Sequence, residues 1–156
     1  MFVSRRDYIL RQIAEITQLL ARIAFNRKGG RPEEALQAVV QACERLFVME
    51  ADRLFQFTPE QHFVMLTEGE TAGDARDKIL LYAALNAEAG KIYTELTNPT
   101  MARVSFLNAL RFTLKAGSAF PRENWPAFAP AVDELLERLQ DAPLDTETAG
   151  LVRDRK

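Results

Sequence analysis

Apolar residues recur with a helical period along most of the chain. Ile9, Ile13, Ile16, Leu20 and Ile23 are spaced four, three, four and three residues apart, which lays one apolar stripe along a helix. The pattern predicts a first helix over residues 5–27, with Ser4 as its cap, Asp7 at the third helical position, and Gly29-Gly30 closing it. Two heptads are too few for a free coiled coil, and Leu10, Leu19 and Ala24 widen the stripe, so this helix is expected to pack inside a bundle. Pro32 opens a second helix, where its missing N–H costs nothing. Glu33 and Glu34 suit the positive end of the helix dipole. Leu36, Val39, Val40, Cys43, Leu46 and Phe47 give this helix a buried face, and it is expected to run to about residue 54.

Thr58-Pro59-Glu60-Gln61 is a further start signal, for a short helix over 59–67 that Gly69 closes. After a polar loop over 68–73, Asp74 is expected to cap a fourth helix over 75–97, with Ile79, Tyr82, Ala83, Asn86, Ala89, Gly90 and Tyr93 inward. Asn98-Pro99 breaks it. A fifth helix over 100–116 buries Val104, Phe106, Leu107, Leu110 and Leu114 and stops at Gly117. A proline-rich stretch leads to a sixth helix over 130–140, carrying Val132, Leu135, Leu136 and Leu139. Residues 144–156 are polar and expected to fray. No stretch alternates apolar and polar residues between turns. The expected class is therefore all-α: an antiparallel helical bundle of about six helices, in one domain over 1–143.

Composition fits that picture. With 156 residues, 47% apolar and seven glycines, the chain suits one ordinary domain and excludes fibrous or disordered classes for most of its length. A net charge of −2 excludes a globally basic nucleic-acid binder. The charges are segregated. Residues 1–31 carry seven basic and two acidic groups, and residues 32–95 carry five and twelve. The basic first segment is expected to dock beside the acidic second. The single cysteine excludes an internal disulfide and a multi-cysteine zinc site. No run of residues reaches the roughly 18 apolar positions of a membrane span, and the opening Met1–Asp7 lacks the apolar core of a secretory signal, so a cytoplasmic location is expected.

The fourth and fifth helices resemble a tetratricopeptide repeat. Gly90, Tyr93, Ala102, Phe106 and Ala109 stand at that family's offsets for small and aromatic residues. Asn86 replaces its usual Trp and Leu114 its usual Pro. The first two helices resemble a degenerate copy, with Gly30 at the turn and Ala35, Val39 and Ala42 at packing positions. The resemblance covers about 75 of the 156 residues. The whole layout is also similar to a family of small bacterial all-α proteins of uncharacterised activity. Its members open with an Asp-Tyr-Ile helix, here Asp7-Tyr8-Ile9, and carry one repeat-like hairpin, here Tyr82 to Lys115. That likeness implies a fold and no activity.

Signals for chemistry are few. His62 is the only histidine, and no spacing pairs it with Cys43 or with any of the three serines. It reads as a helix-surface or half-buried residue near Phe63. Cys43, in mid-helix on an apolar face, reads as a small hydrophobe. Glu44, Glu50 and Asp52, or Glu68, Glu70, Asp74 and Asp77, are carboxylate groups without EF-hand spacing. Neither a phosphate-loop, a metalloprotease nor a dinucleotide motif occurs, and no Glu-x-x-His pair surrounds His62. The expectation leans away from an enzyme, with no metal and no cofactor.

Arg103, Arg111 and Lys115 fall on one side of the fifth helix, with Leu107 between them and Asn108 nearby. The repeat resemblance implies that Lys91, Thr94 and Glu95 face the concave groove of such arrays, with Arg27 and Lys28 as first-helix equivalents. Ala87 stands where a carboxylate-clamp lysine would be. A basic groove rim of this kind suits an acidic segment of another polypeptide. Phe55, Phe57, Phe63, Phe120, Trp125 and Phe128 lie in short or irregular segments and are expected to plug the ends of the bundle. Two repeats leave an open face, so self-association as a twofold homodimer is a further expectation. The leading functional reading is a protein–protein interaction module with its binding residues at Lys91, Thr94, Glu95, Arg103, Asn108, Arg111 and Lys115. The alternative is a small-molecule-binding or enzymatic helical protein with a cavity near His62, Cys43 and Tyr82. Contact of the basic first helix with nucleic acid or an anionic membrane ranks last, because its Ile stripe belongs in a core.

Overall fold

The computed structural model describes residues 4–140 and 142–155. Residues 1–3 and 141 of the expected domain, and residue 156 of the expected tail, lie outside the described residues. Among the described residues the chain is all-helical, with eight helices and no strand: α1 (Arg5–Lys28), α2 (Pro32–Phe47), α3 (Ala51–Leu54), α4 (Pro59–Thr67), α5 (Ala72–Glu95), α6 (Pro99–Ala119), α7 (Val132–Arg138) and α8 (Thr146–Asp154). None of these helices is long and apolar enough to cross a membrane.

The caps explain the boundaries. Ser4 accepts from the Asp7 N–H at 3.1 Å and starts α1. Thr58 and Gln61 close a reciprocal capping box at α4, with bonds of 3.1 and 2.8 Å. Several expected ends differ. The second helix stops at Phe47, not near residue 54, because Val48 takes a left-handed φ of 55°. The Met49 N–H then turns back to the Glu44 carbonyl, while the Glu44 carboxylate accepts from the Ala51 N–H at 2.8 Å and starts α3. At α5 the cap is Thr71 and not Asp74. The Thr71 hydroxyl accepts from the Asp74 N–H at 3.2 Å, and the Asp74 carboxylate is buried against Arg6, also at 3.2 Å.

α6 continues through Gly117 to Ala119, and the loop that follows is tied down from α5. The nearly buried Arg76 donates to the carbonyls of Pro121, Glu123 and Asn124 at 2.7–3.2 Å. Residues 146–154, expected to fray, form α8. Asp145 caps it from the Thr148 N–H at 2.9 Å, and Leu144, Leu151 and Val152 pack on a cluster that includes Leu110, Leu114, Leu135 and Leu139. A single buried face was expected for the fourth helix, but α5 is the central element, touching α1, α2, α4 and α6. Ile79 to Leu85 is an unbroken buried run, as a helix that is apolar all round requires.

Segregated charge becomes tertiary contact. Arg5 pairs with Glu70, Arg6 with Asp74, and Arg27 with Glu88 at 2.9 Å and Glu95 at 3.6 Å. The basic first segment thus meets the acidic second. Phe63, Phe120, Trp125 and Phe128 pack partly buried against the main core. Phe55 remains 54% exposed.

Candidate functional site

The seven residues expected at a binding rim are distributed over five places. Lys91 on α5 lies between Glu88 at 3.6 Å and Glu134 of α7 at 3.8 Å. The Thr94 hydroxyl donates to the Gly90 carbonyl at 2.9 Å. Glu95 pairs with Arg27. Arg103 is exposed and makes no ion pair among the described residues. It lines an open cleft with Thr94 and Arg138, whose guanidinium sits 5.3 Å from the Phe106 ring centre. Asn108 approaches Arg111 at 3.5 Å and borders a separate cavity.

Arg111 and Lys115 stay together, four residues apart on α6. Each holds a carboxylate of the C-terminal segment: Arg111 Nη2 to Asp145 at 3.3 Å, and Lys115 Nζ to Glu147 at 3.4 Å. Lys115 also lies 5.7 Å from the Phe63 ring centre. Hydrogen bonding from Thr148 and then the Arg111 charge hold the Asp145 carboxyl below its ordinary value. Thr148 is the one fully buried residue of α8. The contact is therefore a charged clasp over a modest apolar footing. Glu134 and Glu147, and the carboxylate of Asp145, are about half exposed or more, so each pair is worth about 0–1 kcal/mol.

A second concave feature lies between α2, α4, α5 and α6. It encloses about 440 Å³, with Cys43, His62 and Tyr82 in its wall. His62 is anchored on both sides. Leu54 O can only accept, so Nε2, at 2.8 Å from it, carries the proton. Nδ1 shares a hydrogen bond with the Tyr82 hydroxyl at 3.3 Å. The Phe47 ring packs against both, at 5.2 Å from His62 and 4.9 Å from Tyr82. Burial, assisted by the Glu44 charge, pushes the Cys43 thiol up to about 12. Burial also raises the Tyr82 phenol well above its ordinary value. At neutral pH this wall carries an un-ionised thiol and phenol, which favours a binding surface over nucleophilic chemistry.

The sequence pointed to this cavity through His62, Cys43 and Tyr82. It gave no sign of Ser105 or of the aromatic packing of Phe47. Glu44, Glu70 and Asp74 are occupied by a backbone N–H, Arg5 and Arg6 respectively. No group of three or more metal-ligating side chains forms among the described residues. The chain matches no protein-family model, and no curated protein or solved structure is similar enough to it to count as a match.

Proposed function

We propose that this protein is an interaction module whose α6 surface, centred on Arg111 and Lys115, docks an acidic helical segment of another polypeptide. One observation carries the reading: that surface already holds such a segment, the N-terminal end of α8, through Asp145 and Glu147. The partner has the same chemistry, with two carboxylates at a helix start followed by apolar residues that reach the α6–α7 cluster. Lys91, Thr94, Glu95 and Asn108 serve the frame in this reading, and Arg103 extends the basic strip toward the start of α6.

The scaffold in this reading is an antiparallel bundle of tetratricopeptide-like hairpins. Two packing details support it. A Cβ at Gly90 would stand 2.6 Å from the Phe106 ring, the close approach for which the repeat uses a small residue. Ala35, Val39, Ala42, Ala102 and Ala109 are all buried at the corresponding positions. The homodimer expected from the sequence would place α8 of one copy on α6 of another, and sedimentation over a concentration series reads that exchange.

A labelled peptide of residues 142–155 tests the proposal on the full chain. Asp145→Lys with Glu147→Lys in the chain removes the α8 cap and reverses both ion pairs, so α8 releases. The released chain is expected to bind the acidic peptide at least about tenfold more tightly than the wild type, and more weakly as salt rises. Adding Arg111→Glu and Lys115→Glu abolishes binding. A released chain that retains its helical signal and takes no peptide overturns the proposal.

A further inference from the structure

The cavity between α2, α4, α5 and α6 differs in chemistry from the other concave regions. The wide groove between α1 and α2, of about 1080 Å³, is bordered by Arg11, Glu15, Glu44 and Arg45. The 440 Å³ cavity has no Asp, Glu, Lys or Arg among its described lining residues, in a chain that is 27% charged. Val39, Leu85, Ala89 and Val104 supply apolar wall. Phe55, Met101 and Val104, at 54%, 39% and 45% exposed, ring its mouth. The volume falls within the range of small-molecule sites. It is about three times the roughly 150 Å³ that accepts benzene in an apolar core.

One wall carries unengaged polar groups. Four threonines on the helices, Thr17, Thr67, Thr94 and Thr113, each donate to the carbonyl four residues earlier. That is the usual fate of a hydroxyl in mid-helix. Ser105 in mid-α6 makes no such bond to the carbonyl four residues earlier, and it borders the cavity. Among the described residues the fully buried polar side-chain atoms without a partner are Gln12 Oε1, Trp125 Nε1 and Arg155 Nη1; the Ser105 oxygen stays accessible at the cavity wall, where a ligand atom can take the place of water. Asn86 of α5 also lines the cavity. Its amide nitrogen donates to the Tyr82 carbonyl at 2.9 Å, which leaves its oxygen to accept. His62 and Tyr82 are engaged with each other and with Leu54, so the polar handle lies on the Ser105 side.

We propose that this cavity binds an uncharged, largely apolar small molecule, of two to three rings or a medium alkyl chain, whose single hydroxyl or carbonyl hydrogen-bonds Ser105. A carboxylate or ammonium group seated against the Ser105 wall is excluded, because no countercharge lines it and burying a lone charge is prohibitive. The site is separate from the α6–α8 clasp and does not depend on it.

The neutral fluorophore N-phenyl-1-naphthylamine reports occupancy in the full chain, and 1-decanol and decanoate serve as competitors. Saturable one-to-one fluorescence is expected, displaced by decanol and not by decanoate. Ala89→Leu fills the cavity and is expected to remove probe binding. Ser105→Ala, which preserves shape and removes only the hydroxyl, is expected to leave probe binding intact and weaken decanol about tenfold, one hydrogen bond's worth. Absence of saturable fluorescence in the wild type overturns the proposal. So does equal displacement by decanoate, or undiminished probe binding in Ala89→Leu at an unchanged thermal midpoint. Equal decanol affinity in Ser105→Ala overturns the assignment of the polar anchor.

Discussion

Val48 and Cys43 show what single side chains contribute here. Val48 is 71% exposed and buries little, yet it holds a left-handed φ of 55° that a β-branched residue adopts only under strain. Val48→Gly is expected to raise stability by about 1 kcal/mol, read as a higher denaturation midpoint at unchanged m. A fall would mean that the turn tolerates Val48 without strain. Cys43 is 3% exposed, and burial holds its thiol un-ionised. Its folded pKa lies above its unfolded one, so its contribution is complete below pH 9.0 and is lost as pH climbs from 9.0 through about 12. Cys43→Ala is expected to flatten the alkaline limb of the stability curve over that window. Native protein should resist a thiol-specific disulfide reagent until the chain opens. Rapid labelling at pH 8 would contradict the burial.

At the scale of elements, two helix starts were legible from a side chain that caps its own turn. Ser4 and Thr58 sit next to the patterns they cap, and their bonds are local. The errors came where two candidates competed or where tertiary contact decided. Thr71 and Asp74 can both cap a helix, and Asp74 was drawn into a pair with Arg6, 68 residues away. α8 looked too polar to order by itself. Its order comes from Arg111, Lys115 and the leucines of α6 and α7, which no local window contains. The α5–α6 hairpin carries a test of its own close packing. Overpacking at Gly90 costs about 1–3 kcal/mol, while alanine gains about 1 kcal/mol over glycine in a helix. A Cβ 2.6 Å from Phe106, whose ring lies under Arg138, makes the clash prevail. Gly90→Ala is expected to destabilise by about 1 kcal/mol, and to become neutral or stabilising in a Phe106→Leu background. The same cost in both backgrounds would show that the contact is not the cause.

For the whole molecule, the uneven charge along the chain acts mainly within the chain. Arg6 and Arg27 fasten α1 to α5, Arg5 holds Glu70 in the loop before α5, and Lys91 joins α5 to α7. The candidate site was legible in part for the same reason. Sequence spacing put Arg111 and Lys115 on one helix face and suggested acidic chemistry opposite. It could not say that the acidic groups belong to residues 145–147, because that pairing closes a loop of more than thirty residues. Lys91 and Glu95, grouped with them by repeat offsets, are neutralised elsewhere by Glu134 and Arg27. The cavity was foreseen by its wall and not by its polar anchor, since Ser105 is distinguished only by a bond it does not make.

The central claim is that Arg111 and Lys115 recognise acidic helices by charge. A charge-swap titration tests it most directly. The full chain with Arg111→Glu, Lys115→Glu, Asp145→Lys and Glu147→Lys is titrated with two peptides of residues 142–155, one native and one carrying the Asp145→Lys and Glu147→Lys changes. The account predicts loss of the native peptide. The reversed chain's own tail now competes for its α6 surface, and the reversed peptide lacks the Asp145 cap, so it should bind no more tightly than the native peptide does on wild type. Releasing that tail by restoring Asp145 and Glu147 in the chain should then strengthen the reversed peptide about tenfold. Binding of the native peptide that is indifferent to the sign of residues 111 and 115 would contradict the claim and leave α8 as a structural brace alone.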